Sequence, residues 1–201
     1  MQTSKRQSTV GSILLRACAI VTAACPFVCV SVPLFAADHS VGVSAESRKL
    51  SHTSSHVRAG AIRALGRAGS PQAAAALAAH LAAEKDPSLR SAALIALGSD
   101  ETAEGVSALR SVASDTARPA TERLDALESL SRFRNNAAAR AAVTGALDDP
   151  DPLVRRVAAS LAWHAYPRSE ILPVLQKVRA REKDPAANKS LKDMLEYRPT
   201  E

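Results

Sequence analysis

The chain has 201 residues, enough for one domain with or without a targeting segment. Hydrophobic residues make up 46% but aromatics only 3%, so a core has to be built of Ala, Leu and Val, with many helices sharing the burial. The formal charge is +6; without Lys5, Arg6 and Arg16 there are 23 basic residues against 20 acidic ones, a dispersed excess of +3 that argues against a nucleic-acid partner.

Residues 1–36 predict a secretory signal peptide. Lys5 and Arg6 make a basic start, Arg16 precedes an apolar run from Ala17 to Phe35, and Ala36-Ala37 stand before polar Asp38-His39-Ser40. Cleavage is expected after Ala36. Retained, the same run approaches the length of a bilayer-spanning anchor. Either way the protein is expected to be exported, periplasmic or secreted, touching a membrane only through this segment. A lipoprotein reading through Thr22-Ala23-Ala24-Cys25 fits less well, because the apolar run continues past Cys25. Cys18, Cys25 and Cys29 all fall within the segment, so the processed chain would have no thiol for a disulfide, a metal site or a nucleophile.

Residues 37–53 are rich in Ser, His and charge and predict a flexible leader. Cleavage after Ala36 would leave Ala37-Asp38-His39 at the new terminus, where an amine, two backbone nitrogens and an imidazole can surround Cu²⁺ or Ni²⁺ in a square plane.

From Ser54 a pattern recurs. Val57 to Gly66, Leu89 to Gly98, Glu122 to Ser131, Val154 to Trp163 and Ala187 to Glu196 align, with starts 32, 33, 32 and 33 residues apart. The fifth column reads Ala61, Ala93, Ala126, Ala158, Leu191; the ninth reads Leu65, Leu97, Leu130, Ala162, Leu195, on the same helical face. The second column reads Arg58, Arg90, Arg123, Arg155, Asn188. Asp86-Pro87 supplies a cap and a first-turn proline ahead of one copy, and Gly98 supplies its stop. Second helices lie between, through Ala74, Leu77, Ala78 and Leu81; Val106, Leu109 and Val112; Ala139, Val143 and Ala146; Leu172, Leu175 and Val178. The expected fold is therefore all-α: an α-solenoid of stacked helical hairpins over residues 54–198, about four pairs plus a C-terminal capping helix.

The run Asp-Pro-x-x-(Leu/Val)-Arg-x-x-Ala followed by Leu-Gly resembles HEAT repeats, best at Asp86 to Gly98 and at Asp151-Pro152-Leu153-Val154-Arg155-Arg156-Val157-Ala158. The units are short and look like the HEAT-like repeats of phycobilin lyase subunits. This resemblance implies a scaffold with first helices on a convex side and second helices on a concave side. It also implies an arginine column internal to the stack or at its edge, bonded to carboxylates or loop carbonyls near Asp86 and Asp149. Unit three departs, with Glu122 at an apolar column and Pro119 in place of a capping Asp, and is expected to be the looser unit.

Chemistry is sparse. No Gly-x-Ser-x-Gly elbow, phosphate loop or His-Glu-x-x-His helix is present, and none of His39, His52, His56, His80 and His164 is followed by the Glu that HEAT-like iron hydroxylases carry. Asp148, Asp149 and Asp151 read as a solvated turn that caps the next helix. Trp163, Tyr166, Arg168, Lys177 and Arg181 form a candidate aromatic and cationic docking patch, against the alternative that Trp163 fills a groove beside the last helix. The functional expectation is a non-catalytic scaffold, with no cofactor, that binds another protein. The alternatives are a subunit of a HEAT-like lyase or modification enzyme, and a periplasmic metal-handling protein.

Overall fold

The computed structural model describes residues 34–197, with side chains from residue 42 onward. The chain divides into two compact units, Met1–Ala37 and Asp38–Glu201. The signal segment expected over 1–36 lies outside the described residues apart from its last three.

The described residues hold ten α-helices and one 3₁₀ turn, with no strand: α1 (Leu34–Lys49), α2 (Ser55–Ala68), α3 (Pro71–Ala83), α4 (Pro87–Leu97), α5 (Ala103–Ser114), α6 (Ala120–Ser131), α7 (Ala137–Gly145, extended by the 3₁₀ turn Ala146–Asp148), α8 (Pro152–Ala165), α9 (Arg168–Arg181) and α10 (Pro185–Glu196). Caps define the starts. Asp86, Asp151 and Asp184 accept from Ser88, Leu153 and Ala187 backbone N–H groups, each with proline in the first turn. Ser70, Thr102 and Asn136 cap the second helices α3, α5 and α7.

Each hairpin covers the apolar face that its neighbour leaves open. First helices α2, α4, α6, α8 and α10 pack in succession, as do second helices α3, α5 and α7. Ala61, Ala93, Ala126 and Ala158 are buried, as are Leu65, Leu97, Leu130 and Ala162, so both sequence columns form the interior. Small residues set the spacing. A Cβ on Gly66 would lie 3.0 Å from the Ala96 Cβ, and one on Gly98 would lie 2.6 Å from the Ser129 Cβ, so α2 approaches α4 and α4 approaches α6 closely. Gly69 ends α2 at φ +56°, a conformation that a side chain disfavours.

Two expectations change. Residues 37–53 are not a flexible leader: most of them continue α1, whose Val43 and the following Leu50 are buried in the common core. The helix ends about one repeat ahead of the end of α3, and it occupies the place of a second helix belonging to a preceding unit. The other change concerns unit three, which is anchored rather than loose, for reasons that lie in its ion pairs.

Candidate functional site

The arginine column forms a ladder through the stack. Arg58 donates from Nε and Nη2 to Glu84 at 2.7 and 3.1 Å. Arg90 grips Glu122 at 2.7 and 2.6 Å, Arg123 grips Asp149 at 2.9 and 2.7 Å, and Arg155 grips Glu182 at 2.8 and 2.6 Å. Every rung uses the same Nε/Nη2 edge, the bidentate geometry that suits a planar carboxylate. The third nitrogen, Nη1, donates to main-chain carbonyls ahead of the arginine's own helix: His52 and Thr53, Leu81 and Glu84, Arg118, Asp149 and Pro150 in turn. Asn188 keeps only this inner half, donating to the Arg179 and Glu182 carbonyls.

The carboxylates stitch the units together. Glu84 receives Arg58 on its side chain and Arg90 on its carbonyl, and Asp149 receives Arg123 and Arg155 in the same way. These acids stand two residues before the capping Asp and also accept backbone N–H groups of the turn, from Lys85 and Asp86, from Asp151 and from Asp184. In unit three Ala117 stands at that loop position, and the acid enters from within α6 as Glu122, held by both Arg90 and Arg118. That is why Glu122 is buried at an apolar column without loosening the unit.

The electrostatics follow. Burial pushes Glu84 upward, but hydrogen bonds from Arg58 and from the Asp86 and Lys85 backbones, together with the Arg58 charge, outweigh it and bring the carboxyl down to about 2. The Arg155 hydrogen bond, against the opposing effect of burial, brings Glu182 to about 2 as well. Glu122 is lowered chiefly by Arg90. His80 lies with Nε2 3.2 Å from Glu84; burial lowers its pKa, with Glu84 opposing and Arg58 reinforcing.

The acidic cluster caps the next helix as expected, but it is only partly solvated. Asp149 is a buried rung, Asp151 caps α8, and only Asp148 is exposed, paired with Arg181.

The five residues of the candidate docking patch differ in exposure and in partners. The Arg168 guanidinium lies 4.5 Å from the Trp163 ring and donates at 2.8 Å to the Tyr197 carbonyl, so Arg168 ties the start of α9 to α8 through the ring and to the end of α10 through the carbonyl. Trp163 itself is half-buried against the core. Tyr166, three residues on and beyond the helix end, is buried beneath Arg140 of α7, whose guanidinium lies 5.3 Å from its ring. Lys177 is exposed on α9, and Arg181 is engaged by Asp148. Ala37, Asp38 and His39 lie in the backbone of α1, their side chains outside the described ones. His52 Nδ1 accepts the Ser54 N–H. Among the described residues no group of three His, Cys, Asp or Glu is placed to hold a metal ion, and no helix is long and apolar enough to cross a membrane.

What stays open is the face of the second helices. Ala75, Ala79, Ser107, Ser111, Ala141 and Gly145 are exposed along it. Two clefts of about 590 and 570 Å³ recur at equivalent places, between the C-terminal ends of α1 and α3 and of α5 and α7. A third, of about 400 Å³, separates α7 from α9, because α9 is held by α8 and α10. Arg140, in its wall, was not marked by the sequence columns, since it lies on a second helix outside them.

Stacked helical hairpins joined by a repeating polar ladder define an α-solenoid. The family profile for HEAT repeats matches residues 43–98 and 80–163, and the chain belongs to that family. The match begins within α1, in agreement with that helix being part of the array. Comparison with curated proteins finds no match.

Proposed function

We propose that this HEAT-repeat scaffold is exported and non-catalytic, and that it binds another protein through the face of its second helices. One observation carries the reading: the arginine column, the strongest charged feature of the sequence, is consumed inside the stack, while the second-helix face presents small side chains and recurring clefts. Small residues admit a partner close to the helix backbones, and clefts receive its anchors. The basic start and apolar run of residues 1–36 support export.

Positional crosslinking tests the binding face. A photoreactive residue at Ser111 or Ala141 is expected to yield an adduct of defined mass in the envelope fraction, and one at Glu128, exposed on first helix α6, is not. Equal adducts from both faces, or intrinsic turnover by the purified chain, would overturn the reading. Mass spectrometry of the mature terminus tests export: a start at Ala37 is expected, and any other start also removes the Ala37-Asp38-His39 metal site.

A further inference from the structure

Buried polar groups in this array are satisfied with few exceptions. Glu84, Glu122, Arg123 and Asp149 are all paired. Among the described residues three enclosed side-chain atoms have no hydrogen-bond partner within the protein: His80 Nε2, Arg140 Nε and the Tyr166 hydroxyl. The first lies within ion-pair reach of Glu84. The other two belong to residues that line the cleft between α7 and α9. Enclosed donors without acceptors destabilise a fold, so two beside one cleft call for an explanation.

The ladder supplies the comparison. Four arginines grip a carboxylate through the Nε/Nη2 edge. On Arg140 that edge carries none: Nε is unpartnered and Nη2 reaches only the Arg134 carbonyl, at 3.4 Å. Glu170 takes the opposite nitrogen, Nη1, from a half-exposed position on α9. Tyr166 is 5% exposed, and burial, against the opposing Arg140 charge, raises its pKa to about 12, so its hydroxyl remains a donor throughout the physiological range. Ile171, Val174 and Ala141 give the same cleft an apolar wall, and its volume, about 400 Å³, lies within the range of small-ligand sites.

We propose that the α7–α9 cleft is an anchor site for the C-terminal residue of a partner polypeptide, an aliphatic side chain ending in a free carboxylate. The carboxylate takes the Nε/Nη2 edge of Arg140 and the Tyr166 hydroxyl, leaving Glu170 on Nη1, while the side chain lies against Ile171 and Val174. This rests on the protein-binding reading and names the chemistry of one contact in it.

N-acetyl-leucine reproduces that end group, and N-acetyl-leucinamide lacks its charge. The chain has five isoleucines, so the Ile171 δ1 methyl is resolved by ¹³C labelling of the protein as purified from the expressing cell. A saturable shift of that methyl is expected with N-acetyl-leucine and not with the amide. Tyr166→Phe should weaken binding about tenfold, the scale of one hydrogen bond to a charged group. Arg140→Lys, which keeps the charge and loses the edge, should weaken it as well, and Glu170→Gln, which removes a neighbouring like charge from the ligand carboxylate, should tighten it about threefold. An unchanged position of the unliganded Ile171 methyl, on α9 beside the cleft, reports that each variant is folded there, and the Ile62 and Ile95 methyls, on α2 and α4, report the rest of the array. No saturable shift, equal binding of the amide, or an unchanged affinity in folded Tyr166→Phe would each overturn the proposal. A failed titration leaves the crosslinking test of the second-helix face standing on its own.

Discussion

Arg123 and Asp149 face each other with both side chains only 4% exposed, the most enclosed arginine–carboxylate pair among the described residues. Desolvating two charges is costly, and their attraction offsets the cost only while both are present. Asp149→Ala should therefore lose about 3–5 kcal/mol in urea denaturation, and the double variant Arg123→Met, Asp149→Leu should recover most of that loss. A loss below about 1 kcal/mol would mark the pair as an ordinary surface one.

Acid should open the ladder within a defined window. Glu84 and Glu182 have folded pKa values near 2 against an ordinary 4.5, so the unfolded chain takes up protons first. Their contribution is fully present above about 4.5 and lost as pH falls toward 2. The melting temperature should be level with respect to these groups from pH 7 to pH 5, then fall steeply. Glu84→Gln should melt lower at pH 7 and show a shallower acid fall, and equal acid slopes would contradict this role.

Gly98 and Ser129 form a contact with no room for growth. Gly98→Ala places a methyl 2.6 Å from the Ser129 Cβ and should cost about 1–3 kcal/mol by overpacking. Adding Ser129→Gly should return part of it, despite losing the Ser129 hydroxyl bond to the Leu94 carbonyl. Thermal melts of the three variants measure the compensation.

Trp163 reports whether the C-terminal aromatic group is structural. Trp163→Ala should cost about 3 kcal/mol and raise amide exchange in α9 and α10 while α2 to α6 stay protected, because a repeat array loses its units from the end. Unchanged protection with loss of a partner would instead make it a docking residue.

Much of this was legible in the residues themselves. The steady spacing of the Ala61 and Leu65 columns gave hairpins and interior together, and the arginine column was readable as bonded to carboxylates and loop carbonyls. A further signal was available at Glu84, Asp149 and Glu182, each two residues ahead of a capping Asp. Helix α1 was obscured because Val43 within it and Leu50 just after it, its buried contacts among the described side chains, give almost no period to read. Glu122 looked like a defect because a column shows what a position usually holds, not which arginine from the preceding unit needs an acid there. Tyr166 was grouped with Trp163 by nearness in sequence, but the end of α8 turns it toward Arg140.

The central claim is that each arginine of the column staples its unit to the next, and the rung at Glu122 tests it most directly. A double-mutant cycle over Arg90→Met and Glu122→Leu, read by urea denaturation, should give a coupling of about 2 kcal/mol or more, with Glu122→Leu alone destabilising although it restores the apolar column. A stabilised Glu122→Leu, or a coupling near zero, would contradict the account.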